Sequence, residues 1–492
     1  MFKKLFTISL SIIILAGIFY AREITYNEAQ IIAENWTEIL EEDFGDQVRV
    51  MDGREIFREN ILVAYVFDFY PKGYVIISRQ DYLPPIKMYS LKYNYKTSGE
   101  PLEHLVFETY KNIIKKVESE NNLPESEEYK KNRNLIRNLL NSEYKYRILS
   151  KSDVFEEIQQ VEPLLSTVWS QGGPYNNYCP EIDGIKTVTG CVATSFAQIL
   201  NYYEYPARGR GSYTYTTSTH KISLSANFDK EYEWWNMRDK NNTADEEAHA
   251  VATLMYDVGV ALHSDYTSKW GTAGGFSHNF AYHFKYSNDS RKTHNFYKRG
   301  EEWFNVAKNQ VDNGWPVEYS IFGDTLGHSV VIDGYRISNG VKMVHINFGW
   351  GGAYNGYYVM NNLHLSDEYN FNSDSQFLLL NFYPYPEYER PVGLPPENVS
   401  ASAYLNQSVF LKEYIVQIKW PESPSKDKRI DKYIIYQKEG GTVTEIARID
   451  PEDGRTYEIR TKELSGISYS VGVIDKNGAI SDMPSFVTPV LR

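Results

Sequence analysis

Cysteine is nearly missing from this chain of 492 residues: Cys179 and Cys191 are the two it contains. At most one disulfide can form, so no disulfide framework carries the fold and its stability must come from core burial. A basic surplus is missing as well. Lys and Arg number 51 against 64 Asp and Glu, a formal net charge of −13, which argues against a general nucleic-acid binder. No repeat of about 20 to 50 residues recurs. Beyond Phe19 no apolar run reaches the roughly 18 residues that a membrane-spanning helix needs. What is present, 42% hydrophobic and 23% charged residues, is the composition of a soluble globular protein, and the length leaves room for about three domains.

The chain divides by texture. Residues 1–4 carry two lysines, residues 5–19 are nearly all apolar and Ala21 is small. Residues 1–21 are therefore expected to be a cleaved signal peptide, with a secreted, extracellular product, periplasmic or surface retention being left open. Residues 22–151 read as a small α+β unit with a charged connector: a helix at 26–41, strands at 61–69 and 73–78, and Leu102, Leu105, Val106, Tyr110, Ile113 and Ile114 at helical spacing. The Lys-, Glu- and Asn-rich stretch 118–157 is expected to be exposed and weakly structured. Residues 152–388 are aromatic and glycine-rich and hold all the candidate chemistry. In residues 392–492, short alternating runs at 399–411, 413–420, 431–439, 456–459 and 467–474, separated by turn signals, predict an all-β sandwich. The overall fold class expected is α+β.

The strongest chemical signal is GCVATSFAQILNYY at 190–203. Val192, Phe196, Ile199, Leu200 and Tyr203 fall at helical spacing and Pro206 closes the run, which predicts a helix beginning at Cys191. A thiol in a first helical turn meets the positive end of the helix dipole and unpaired N–H groups, so a lowered pKa and a nucleophilic role are expected. A nucleophilic thiol needs a base. Of ten histidines, His328 follows Gly327 and opens the apolar run SVVID, 137 residues after Cys191; that spacing lies within the roughly 130 to 150 seen between nucleophile and base in one class of cysteine peptidases. His345 alternates with Val344 and Ile346 and reads as structural.

The imidazole needs an orienting group. Asn339-Gly340 is a favoured two-residue hairpin turn, and a regular ladder from it sets His328 opposite Gly351, on the face of Asn347. Asn347 is the candidate, provided the strand bends near Gly349, Gly351 and Gly352; Trp350 is expected to shield the base from water. For the oxyanion, the Cys191 N–H supplies one donor, and Gln171 in the loop Trp169-Ser170-Gln171-Gly172-Gly173 is the side-chain candidate. Cys179 has no such context and reads as packing.

The segments WSQGGPYN at 169–176, VTGCVATSFAQILN at 188–201 with Tyr205-Pro206, GHSVVIDG at 327–334 and NFGWGG at 347–352 resemble, in the same order, the motifs of the streptopain family of papain-like cysteine peptidases. The resemblance implies a papain-like fold for residues 152–388, a catalytic pair of Cys191 and His328, and an oxyanion role for Gln171. Residues 66–90 resemble that family's pro-segment, which implies a self-processing zymogen whose residues 22–151 inhibit it. Residues 266–274 resemble the loop that lines the cleft, so Gly271 and Thr272, with Gly327 and Trp350, are the expected substrate-side residues. The partners implied are protein or peptide substrates, with an apolar residue before the cleaved bond, and the chain's own pro-segment. No cofactor, metal, nucleic acid or membrane span is expected. One departure from the family pattern is Phe348 after Asn347. The C-terminal unit resembles a fibronectin type III module in pattern and is expected to be a spacer or binding module. Two other functions fit parts of this reading: a transglutaminase-like acyl transferase with Asp333 as the orienting acid, and a secreted binding protein without catalysis.

Overall fold

Thr25 accepts from the Glu28 N–H while the Glu28 carboxylate accepts from the Thr25 N–H, a reciprocal cap that satisfies two otherwise orphan donors and starts the helix Tyr26–Phe44. Gly45, at φ 74°, ends it. Ile32, Ala33, Trp36 and Leu40 share one face and bury against Val75, Ile77 and Tyr89 of a sheet. In the computed structural model, the residues described are 21–95, 107, 109–120, 127–141, 158–267, 278–287, 291–294, 301–322, 327–360, 376–384, 395–396, 398–407, 412–423, 430–475, 480–481 and 485–492. The expected signal peptide, apart from Ala21, lies outside them.

Among the described residues, eleven strands form one sheet that runs from the N-terminal unit into the unit that carries Cys191 and His328. Its order is Arg49–Arg58, Ile61–Tyr70, Tyr74–Ser78, Ile86–Ser90, Gly356–Tyr358, Val341–Asn347, Gly327–Ser338, Val317–Phe322, Phe377–Leu380 and Arg291–His294, with Gln159–Val161 on the far half of Gly327–Ser338. The join between the two units is the antiparallel pair Tyr357 with Tyr89 and Tyr358 with Met88. Alternation along Gly327–Ser338 then serves two cores. Val330 and Ile332 belong to an apolar cluster with Trp303, Phe304 and Tyr110, whereas Val331 joins Phe196, Leu200, Phe280 and Phe382.

The helix Cys191–Tyr203 lies on that second face and is buried almost all round, including its polar Thr194, Gln198 and Asn201. Two expectations change here. The hairpin register runs as read from Ser338 with Val341 to Gly334 with His345, but a bulge at Asp333 shifts it by one, so Asn347 faces Val331. The strand ends at Asn347, and His328 pairs with Ile321 of the neighbouring strand instead of with Gly351. The connector expected to be weakly structured holds a helix, Glu127–Leu140, because Tyr129, Ile136 and Leu139 are buried, the latter two against the first helix. At the C-terminal end, one sheet of four strands and one of three share a single apolar cluster around Trp420, Tyr433 and Tyr469.

Candidate active site

Gly190, at φ 85°, turns the chain into the helix that Cys191 opens. Thr189 and Thr194 bond to each other at 2.8 Å and Thr194 bonds back to the Gly190 carbonyl at 2.9 Å, which sets the first turn. The thiol is partly exposed, and the backbone N–H groups of Ser329, Val192 and Cys191 itself lie near enough to favour its ionised form. Ser329 is the residue after His328, so this contact places the start of the helix beside the end of the His328 strand. The expected lowering of the thiol pKa is overturned. Burial pushes it up and the Glu318 carboxylate adds to the rise, and together they outweigh the N–H donors.

The His328 ring is buried. Its Nε2–H donates to the Phe348 carbonyl at 2.9 Å, and because a carbonyl only accepts, that proton assignment leaves Nδ1 as the basic nitrogen. Trp350 stacks on the ring with centroids 4.2 Å apart. Burial lowers the imidazole pKa to about 4, the Phe348 carbonyl opposing the shift. Among the described residues no hydrogen bond joins His328 to Cys191: each is held by other partners.

Asn347 lies beneath this arrangement. Its Nδ2 donates to the Thr167 carbonyl at 2.7 Å, and its Oδ1 accepts from the Gly349 N–H at 3.0 Å and from Gln198 Nε2 at 3.3 Å. The other end of the Gln198 amide accepts from the Trp169 N–H at 3.2 Å. Gly349, Gly351 and Gly352 all have positive φ, so the chain turns sharply just past the strand, and it is this turn that presents the Phe348 carbonyl and the Trp350 ring to His328. The Gly351 N–H bonds the Trp169 carbonyl at 3.0 Å, and the Thr189 N–H bonds the Gln171 carbonyl at 3.1 Å. These bonds bring the Gln171 loop alongside both the glycine turn and the start of the helix.

Gly327 is exposed at the strand end, while Gly271 and Thr272 lie outside the described residues. Asp333 is taken by others: His345 Nδ1 contacts its Oδ1 at 2.6 Å and the Leu165 N–H its Oδ2 at 3.1 Å. Cys179 is a buried free thiol, raised by burial to about 12. Sequence reasoning missed Gln198, Ser329 and Glu318. The available signal was polarity where the pattern demands burial, a Gln on an all-buried helix and a Glu within VEYSIF.

A helix-borne thiol beside a strand-end imidazole, backed by a buried amide network on a papain-like sheet, defines the class: the chain is a cysteine-type peptidase, a hydrolase. Residues 169–358 match the model of the Peptidase C10 family. Streptopain of Streptococcus pyogenes is 28% identical over 327 residues, 61% of this chain and 75% of that protein. The thiol protease/hemagglutinin PrtT of Porphyromonas gingivalis is 31% identical over 219 residues, 41% of this chain but only 24% of that longer protein. A solved fragment of prointerpain A of Prevotella intermedia is similar in structure, with a TM-score of 0.53 and 26% identity over 68% of this chain and 99% of that one.

Proposed function

We propose that this chain is a secreted cysteine endopeptidase made as a self-processing precursor, with Cys191 as nucleophile and His328 as base. The observation that carries the reading is the approach of the Ser329 N–H to the Cys191 thiol, which brings the nucleophile next to the residue that follows the base. In the reaction, His328 Nδ1 takes the thiol proton and Sγ attacks the scissile carbonyl carbon. The C–N bond then breaks as the imidazolium returns the proton to the leaving amine, and water hydrolyses the thioester. The Cys191 N–H and the Gln171 side chain stabilise the oxyanion. Asn347 positions the base through the turn it holds, and Trp350 excludes water. Gly271, Thr272, Gly327 and Trp350 meet the substrate, a protein or peptide with an apolar residue before the cleaved bond.

Residues 22–151 act as the inhibitory pro-segment. Supporting this, the unit adds four strands to the catalytic sheet, and its Tyr93 ring packs on Gly352, where a Cβ would come within 2.5 Å of it. Tyr93 thereby braces the turn that holds the Phe348 carbonyl against His328. The C-terminal unit serves as a fibronectin type III-like spacer or binding module. Engagement of Asp333 by His345 and Leu165 speaks against the acyl-transferase alternative. The test is Cys191→Ala, which is expected to abolish proteolysis and leave the purified precursor uncut; processing at the normal rate would refute the assignment.

A further inference from the structure

Within the strand Val317–Phe322, buried over residues 317–321, Glu318 is 2% exposed. A carboxylate in such a place is costly unless donors surround it. Two serine hydroxyls, Ser320 Oγ and Ser329 Oγ, reach the same oxygen, Oε1, each at 2.7 Å. They stand on adjacent strands, for Ser320 is the registered partner of Ser329 and Ile321 that of His328. Ser329 Oγ also contacts Ser195 Oγ of the nucleophile helix at 2.7 Å. Its single hydroxyl proton goes to Glu318, so toward Ser195 it can only accept, and Ser195 shares its own proton between Ser329 and the Val192 carbonyl at 2.9 Å. The backbone N–H of the same residue lies near the Cys191 thiol and favours its ionised form. Ser329 is thus a bridge with three contacts, to the carboxylate, to the helix and to the thiol, and it follows His328 directly in the chain.

We propose that Glu318 is a positioning residue for the peptidase reaction: through Ser329 it locks the Cys191 helix onto the His328 strand and sets a negative charge on the Cys191 side of that strand pair. This rests on Cys191 being the nucleophile. A carboxylate near a thiol disfavours thiolate and favours a neighbouring imidazolium, so the charge holds an unpaired Cys191 quiet but costs the ion pair little. The helix Cys191–Tyr203 has no charged side chain in its sequence, CVATSFAQILNYY. On the His328 strand, His328 is turned to Phe348, and Asp333 is bound to His345 and Leu165. The Glu318 carboxylate raises the thiol pKa.

The test is the pH dependence of Cys191 alkylation by iodoacetamide in the full chain, read by peptide mapping so that Cys179 is scored separately. Glu318→Gln, close to isosteric, is expected to move the alkylation midpoint down by on the order of one pH unit, with the acid limb of kcat/KM moving the same way; Glu318→Asp, which keeps the charge, is expected to leave the midpoint near that of the unaltered chain. An unmoved midpoint in a folded Glu318→Gln overturns the proposal. Ser329→Ala keeps the charge and deletes a donor that disperses it, so its midpoint is expected to rise. A fall there overturns the proposal even if Glu318→Gln does not fold. If full alkylation of Cys191 leaves peptidase activity intact, it is the nucleophile assignment that has failed, which separates the two outcomes.

Discussion

Cys191 and His328 differ in what removing them takes away. Cys191→Ala deletes the proposed nucleophile and little volume, whereas His328→Ala removes the proposed proton acceptor, expected to cost about 10²- to 10⁴-fold in kcat. Asn347→Ala is expected to lose less activity than His328→Ala, because Asn347 transfers no proton. It leaves the Thr167 carbonyl and the Gly349 N–H without their partner in a buried site, at a stability cost of roughly 1 to 3 kcal/mol. Comparing kcat and thermal midpoint for the two variants decides this, and equal activity losses would remove the positioning role. The start of the helix at Cys191 is legible in the sequence because periodicity and Pro206 mark it from both ends. The partners of Asn347 are not, since a one-residue bulge at Asp333 changes which side chains meet and nothing local announces it. Glu318 hides for a related reason: within an apolar run a lone Glu reads as a solvent-side residue until the facing strand supplies Ser329.

At the level of elements, the glycine turn after Asn347 decides where the His328 partner lies. The need for a bend near Gly349, Gly351 and Gly352 follows from the residues alone, but its direction does not, because positive φ at successive glycines permits several paths. Gly349 has φ 68°, and an added Cβ would stand 3.0 Å from Thr194 Cγ2 on the nucleophile helix. Gly349→Ala is therefore strained by both backbone and contact, and is expected to destabilise the chain by about 1 to 2 kcal/mol while lowering peptidase activity through a displaced Phe348 carbonyl. A thermal midpoint and rate equal to those of the unaltered chain would show that the turn does not position the base. Strands with clear alternation, such as Ile61–Tyr70 and Ile467–Asp475, are readable within a residue or so. The strand Arg49–Arg58 and the helix Glu127–Leu140 escape because their polar residues obscure the period, and only packing against the first helix and the neighbouring strands reveals them.

For the whole molecule, the shared sheet joins the N-terminal unit to the strands that carry His328 and Asn347. Arg336, on the strand that carries His328, bonds Asp46 and Glu162 and lies over the Phe44 and Tyr357 rings at 4.4 and 4.6 Å. Asp46 and Phe44 belong to the N-terminal unit, so Arg336→Met is expected to weaken that unit's hold on the nicked chain by about tenfold or more, measured as inhibition by the separately added segment; an unchanged inhibition constant would place the hold elsewhere. The held state also depends on pH. His328 is kept near pKa 4 in its buried position, against about 6.5 in water. Release therefore takes up a proton between those values, and the held state loses stability as pH falls from about 6.5 toward 4. In a Cys191→Ala background, opening of the precursor, read by limited proteolysis, should increase across that window, and His328→Leu should remove part of the increase; identical pH profiles would contradict it. None of this matters unless Cys191 is the reacting group. The most direct measurement is mass spectrometry of the protein after graded treatment with a thiol-alkylating peptidase inhibitor, with residual proteolysis assayed in the same samples. The account predicts that the adduct sits on Cys191, that Cys179 stays unmodified, and that activity falls in proportion to Cys191 occupancy. Full occupancy of Cys191 with proteolysis retained, or loss of proteolysis with Cys191 unmodified, would contradict it.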